Sequence, residues 1–202
     1  MTTYTLIIAV ITVLVSIAAF SNEELFNKLI LWPRRMDNAA EYYRLLTSGF
    51  IHADWLHLIF NMYTFYVFGI QVERIFHSMD KHNLFLVLYL AGIVVASLPS
   101  FIKNRNNSYY RSLGASGGVA AILFSFVYFA PWAKIWIWFI PIPGIIAGVL
   151  YLLYSAYSSR RGNSSINHDA HFWGAVFGFV FTLLIDGSHG QNFIVQLMHP
   201  YF

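Results

Sequence analysis

The chain has 202 residues, 58% of them hydrophobic and only 10% charged, with a mean hydropathy of +0.58. An average soluble domain carries about 25% charged residues, so a chain this apolar lacks the polar surface to cover itself in water and is expected to be a polytopic membrane protein. A net charge of +3 without a basic run argues against nucleic acid as a partner, and the absence of cysteine excludes disulfides.

Crossing a bilayer takes about 20 mostly apolar residues, and six segments are predicted to do so. The first runs from Tyr4 to Phe20. It is expected to be a retained span, because Met-Thr-Thr-Tyr lacks the positive n-region of a cleaved secretory signal. The connection from Ser21 to Ala53 mixes Leu25, Phe26, Leu29, Ile30 and Trp32 with Glu23, Glu24, Lys28, Arg34 and Arg35. That pattern predicts an amphipathic element lying in the interface plane.

The second span is predicted from Trp55 to Val72 and the third from Leu84 to Ile102. The fourth, from Ser116 to Pro131, is short, which puts its start below the membrane surface. The fifth, from Trp132 to Tyr157, carries Pro141, Pro143 and Gly144 near its middle. Proline removes a backbone donor and kinks a helix, so this segment is expected to be bent. The sixth runs from Ala170 to Ile185, and the connections Lys103 to Leu113 and Ser158 to Asn167 are polar. No internal repeat is present, and the whole chain, 1–202, reads as one membrane domain.

Segments two, four and six cross in the same direction, and each carries its polar residues near its own N-terminal end. His57, Asn61, Ser116 and His171 therefore fall on one side of the membrane at comparable shallow depth. A polar side chain there is costly, and function is the default reason for it. The set is an inventory for acyl transfer: a hydroxyl nucleophile, an imidazole base and spare hydrogen-bond donors.

Serines in membrane helices commonly just pack or bond a carbonyl. Ser116 stands apart because Gly114, Gly117 and Gly118 leave the backbone bare around it. A helix starting there also points free N–H groups at whatever the hydroxyl attacks. His171, Gly174 and Gly178 share one face of segment six. If that small-residue face packs against Gly117, Ala120 and Ala121, the imidazole comes beside Ser116. His57 and Asn61, at i and i+4, can aim donors at one oxygen, a contribution of about 3–4 kcal/mol per donor where it has been measured. Asp54 and Asp169 are expected to cap their helices, and neither carboxylate is expected to complete a triad.

His57-xxx-Asn61, Gly114-Ala115-Ser116-Gly117 and Ala170-His171-xx-Gly174-xxx-Gly178, in that order, make the chain similar to the rhomboid-family intramembrane serine proteases. Tyr43-Arg44, where the family commonly has Trp-Arg, His52 and Glu73 add to the resemblance. It covers the whole chain as a six-helix core and implies an all-α integral membrane fold, with a long interfacial loop between the first two spans. It further implies Ser116 as nucleophile and His171 as general base, with the Ser116 N–H, His57 and Asn61 as the oxyanion hole. Arg44 and Glu73 would hold the first connection, and the fifth segment would gate lateral substrate entry. The implied activity is endopeptidase cleavage of single-span membrane-protein substrates in the bilayer, at small residues near helix breakers, without metal or organic cofactor.

Two features depart from the family pattern. Some relatives stack an aromatic residue on the catalytic histidine from four positions after the serine; here that position is Ala120, so the stack is not assumed. The Pro141-Ile142-Pro143-Gly144 break is also unusual. Charge topology conflicts as well. Nine Lys and Arg (Lys28, Arg34, Arg35, Arg44, Lys103, Arg105, Arg111, Arg160, Arg161) share the active-site side, against three (Arg74, Lys81, Lys134) opposite. The positive-inside rule would place that side in the cytoplasm; the resemblance implies the reverse and is preferred, because several of these charges flank an interfacial element. The membrane expected is the inner membrane of a bacterium.

Two other functions compete. A catalytically silent relative that binds membrane-protein clients would typically lack the serine or histidine, and this chain has both. Proton or metal transport through His52, His57, His168, His171 and Asp169 leaves the glycines around Ser116 unexplained and lacks repeat symmetry. Oligomeric state is left open by the sequence.

Overall fold

The computed structural model describes residues 3–137, 139–161 and 167–200; the polar connection expected over 158–167 lies outside the described residues between 162 and 166. Six longer helices carry the fold: α1 (Thr3–Phe20), α4 (Trp55–Ser78), α5 (Leu84–Lys103), α6 (Ser116–Phe129), α7 (Gly144–Arg161) and α8 (His168–Ile185). Of these, α1, α5 and α8 are long and apolar enough to cross a membrane, and α6 is apolar but has only 14 residues. Short helices α2 (Glu23–Leu29) and α3 (Arg44–Thr47) lie between α1 and α4, and α9 (Gln191–Met198) follows α8.

Helix α1 is turned inside out relative to a helix of a soluble bundle. On α1 the buried positions include Thr5, Thr12 and Ser16, while Leu6, Ile7, Val10, Ile11, Leu14 and Ile17 are exposed. In water this arrangement would forfeit the burial of six large apolar side chains, each worth about 1.5–3 kcal/mol. Against hydrocarbon it costs nothing, and the Thr5 and Ser16 hydroxyls find partners inside, on Glu73 and the Phe50 carbonyl. Helix α6 is the central element, packed against α4, α5 and α8, with Gly117 through Ile122 all buried.

Three expectations are corrected. The segment around Pro141 and Pro143 is an antiparallel hairpin, β1 (Lys134–Ile137) and β2 (Ile140–Pro143), with Trp136 opposite Pro141, so the chain is not all-α. Each proline lacks a donor and pushes the residue before it into extended conformation, and a two-stranded ribbon tolerates that on its open edge. Helix α7 begins at Gly144, where Gly144 and Ile145 donate to the carbonyls of Ala133 (2.9 Å) and Pro131 (2.7 Å). Second, Asn167 rather than Asp169 caps α8, its side chain accepting from the Ala170 N–H. Asp169 instead meets the Ser159 hydroxyl and lies 3.5 Å from Lys103. Asp54 does cap α4, accepting from the His57 N–H at 2.7 Å.

Third, Glu73 does not hold the first connection. Its fully buried carboxylate accepts from the Tyr4 N–H (2.8 Å), the Thr5 N–H (2.9 Å) and the Thr5 hydroxyl (2.6 Å), closing the N-terminus of α1, and it meets His82 Nε2 at 3.0 Å. The connection is held by Arg44, which donates to the carbonyls of Asn27 (2.8 Å) and Ile30 (3.1 Å) and pairs with Glu41 at 2.5 Å. Those carbonyls belong to the C-terminal turn of α2, where orphan acceptors favour a cation.

Candidate active site

Ser116 is the first residue of α6, and the loop that delivers it is braced from three sides. Leu31 and Ser112 exchange backbone hydrogen bonds of 3.1 and 3.0 Å, and the Gly114 N–H donates to the Ser48 carbonyl at 2.9 Å. The Ala115 N–H donates to His52 Nε2 at 3.4 Å. With Nε2 accepting, the His52 proton sits on Nδ1 and points at Ser16 Oγ, 2.9 Å away, whose own proton goes to the Phe50 carbonyl at 3.0 Å. His52 is fully buried between α1 and this loop, and burial, reinforced by His57, lowers its pKa to about 3. It therefore stays neutral and keeps this tautomer near neutral pH.

Gly114 has φ +113°, which L side chains rarely adopt, and a Cβ there would stand 2.7 Å from His57 Cε1. The missing side chain thus seats the His57 imidazole against the backbone two residues before Ser116. His57 also meets His52 edge to face at 4.9 Å between ring centroids. Asn61, one turn along α4, is buried and uses one amide proton on the His57 carbonyl at 3.0 Å, and its second has no partner among the described residues.

His171 arrives from α8 through the predicted small-residue contact. A Cβ on Gly174 would strike the Gly117 carbonyl, and one on Gly178 would strike the Ala121 carbonyl. Gly117 in turn faces the Ala170 carbonyl, with its own Cβ position 3.7 Å away. Backbone therefore lies on backbone along α6 and α8, and Ser116 and His171 occupy one junction. Among the described residues the Ser116–His171 hydrogen bond is not closed; such bonds are often long in ligand-free sites and tighten with substrate. Asn167 ties the start of α8 to this junction, accepting from Ser100 Oγ (3.1 Å) and donating to Ser112 Oγ (2.9 Å).

Two elements of the site escape sequence reasoning. A cavity of about 10 Å³ beside Ser116 is lined by Ser48, Ser97, Ser112 and Asn167, among others. That is room for about one water with several polar partners. The second is the ring over His171: Tyr151 of α7, with centroids 5.9 Å apart and planes 18° from parallel. Tyr151 has no signal in its own surroundings; the one hint is the small Ala120, which packs in the same cluster.

A family model described as the Rhomboid domain matches residues 39–187. The chain is 30% identical over 188 residues to RHOMBOID-like protein 12, mitochondrial, of Arabidopsis thaliana, which covers 84% of this chain and 54% of that protein. It is 30% identical over 138 residues to Presenilin-associated rhomboid-like protein A, mitochondrial, of Danio rerio, covering 66% of this chain and 35% of that protein. A third relative, Rhomboid protease GluP of Bacillus subtilis, is 36% identical over 91 residues, 45% of this chain and 16% of the relative. The chain thus spans about half or less of the length of these relatives. Two of the three are mitochondrial by name, so they do not support the expectation of a bacterial inner membrane. The matched domain covers most of the chain and contains His57, Asn61, Ser116 and His171, and the protein belongs to the rhomboid family.

Proposed function

We propose that the protein is an intramembrane serine endopeptidase that cuts single-span membrane proteins with a Ser116–His171 dyad. The observation that supports this reading is the glycine contact between α6 and α8, which packs Gly117 and Ala170, the chain neighbours of Ser116 and His171, close to one another.

In this reading α1, α4, α5, α6, α7 and α8 all cross the bilayer as one domain over 1–202. Helix α6 has 14 residues and spans about 21 Å at 1.5 Å per residue. A hydrocarbon core is about 30 Å thick, so the Ser116 end lies below the surface, where water must be led in. The substrate helix unwinds locally to free a scissile carbonyl from its own hydrogen bonds.

Ser116 Oγ attacks that carbonyl while His171 takes its proton. The resulting oxyanion is met by the Ser116 N–H at the start of α6, the His57 ring and the second Asn61 amide proton. His171 then protonates the leaving amine. A water, of which the cavity beside Ser116 can hold about one, gives its proton to His171 and attacks the acyl-enzyme, and Ser116 is restored when the proton returns to it.

Purified wild-type protein incubated with a single-span model substrate, and separately with a fluorophosphonate probe, tests this. Cleavage and labelling are expected, both lost in Ser116→Ala and in His171→Ala. Folded wild-type protein that binds the substrate but neither cuts it nor takes the label would make the chain a non-cleaving relative.

A further inference from the structure

Building on the endopeptidase reading, we propose that Tyr151 of α7 is a positioning residue for His171, its ring face fixing the imidazole plane and favouring the imidazolium that forms in the transition state. Among the described residues no carboxylate orients the base. Asp169, the acid nearest in sequence, is engaged by Ser159 and Lys103 instead. His171 meets His168 of its own helix edge-on at 5.9 Å, and on its face it meets the near-parallel ring of Tyr151 at 5.9 Å, within the 4.5–7 Å range of offset stacking and about the 6 Å reach of a cation over a ring face.

Tyr151 is itself held from behind. Phe124 of α6 packs on it at 5.8 Å and 45°, so the sequence of rings is Phe124, Tyr151, His171, one from each of three helices. Phe124 and Ala120 lie eight and four residues after Ser116, on the face of α6 that carries the hydroxyl. The methyl of Ala120 leaves the room beside α6 that Tyr151 fills from α7. Helix α7 otherwise turns Leu150, Leu153 and Tyr154 outward. The base is thus oriented by a helix that follows the 134–143 hairpin, and the position of α7 and the competence of His171 become one variable.

The test uses the full chain and the substrate assay above, with kcat and KM separated. Tyr151→Phe keeps the ring face and is expected to stay within about twofold of wild type. Tyr151→Leu removes it, and kcat should fall about 5- to 30-fold, the factor for a lost ring–cation contact, with KM nearly unchanged and the rate of fluorophosphonate labelling reduced in parallel. Should Leu fail to fold, Tyr151→Met fills the space without a ring. Fluorinated phenylalanines at 151 retain shape while weakening the ring face, and a graded fall in kcat with fluorination is expected. A flat fluorination series, a folded Leu or Met variant with wild-type kcat, or a loss confined to KM overturns the role of Tyr151. Wild-type protein that neither labels nor cleaves overturns the protease reading instead, so the two failures are distinguishable.

Discussion

Replacing Gly174 or Gly178 with alanine tests the geometry on which the site rests. At Gly174 the new methyl carbon would stand 2.9 Å from the Gly117 carbonyl carbon, and closer still to its oxygen; at Gly178 it would stand 2.5 Å from Ala121 Cα. Carbon atoms settle at about 3.5–4.0 Å, so α6 and α8 must part by roughly 1 Å. The obstacles are backbone on both sides, and no side chain can swing away. Overpacking of this kind costs about 1–3 kcal/mol. The catalytic cost is larger, because a misplacement of about 1 Å is worth about 100-fold in rate. Thermal unfolding in detergent and kcat for the single-span substrate should be measured on the same preparations. Gly174→Ala, one turn from His171, is expected to lose about 100-fold in kcat. Gly187→Ala, where an added Cβ meets nothing within 4 Å, is expected to be neutral in both. A Gly174→Ala protein with wild-type Tm and wild-type kcat would refute the claim that backbone contact sets the distance between Ser116 and His171.

Gly114→Ala places a side chain at φ +113° and against His57, so a loss of about 1–3 kcal/mol in denaturation is expected, with slower fluorophosphonate labelling because the loop carrying Ser116 moves. Glu73→Ala orphans the Tyr4 and Thr5 donors that it closes at the start of α1, and a drop of about 1–3 kcal/mol is expected. Proteolysis near the N-terminus should show α1 detaching first. For His52, the folded pKa of about 3 lies below the ordinary 6.5. The unfolded chain therefore binds the extra proton between those values, and the contribution of His52 is full above about pH 6.5 and lost as pH falls toward 3. His52→Gln, which can still accept from Ala115 and donate to Ser16, should flatten that part of the Tm-against-pH curve; an unchanged slope would count against His52 as its source.

The proline-rich break shows where periodicity misleads. Two apolar stretches joined by Pro-x-Pro-Gly have the composition of one kinked span, yet proline's own backbone preferences favour a hairpin followed by a new helix. Asn167 carries an ordinary N-cap signal, and it, not the nearby acid Asp169, caps α8. The resemblance implies Glu73 as a support of the first connection, whereas the geometry gives it to the N-terminus of α1. Nothing along the chain links residue 4 to residue 73.

From composition and spacing alone follow the apolar helical character, the location of most helices, the polar set His57, Asn61, Ser116 and His171, and the face on which glycines let α6 and α8 meet. These are local properties: the transfer cost of each side chain and the 3.6-residue repeat dictate them without reference to distant parts. The ring of Tyr151 on His171, the cavity walled by Ser48, Ser97, Ser112 and Asn167, and the relay from Ser16 through His52 to Ala115 were decided by tertiary packing. Each joins residues from separate helices or loops, and such contacts depend on how far and at what angle neighbouring elements approach, which no single segment encodes.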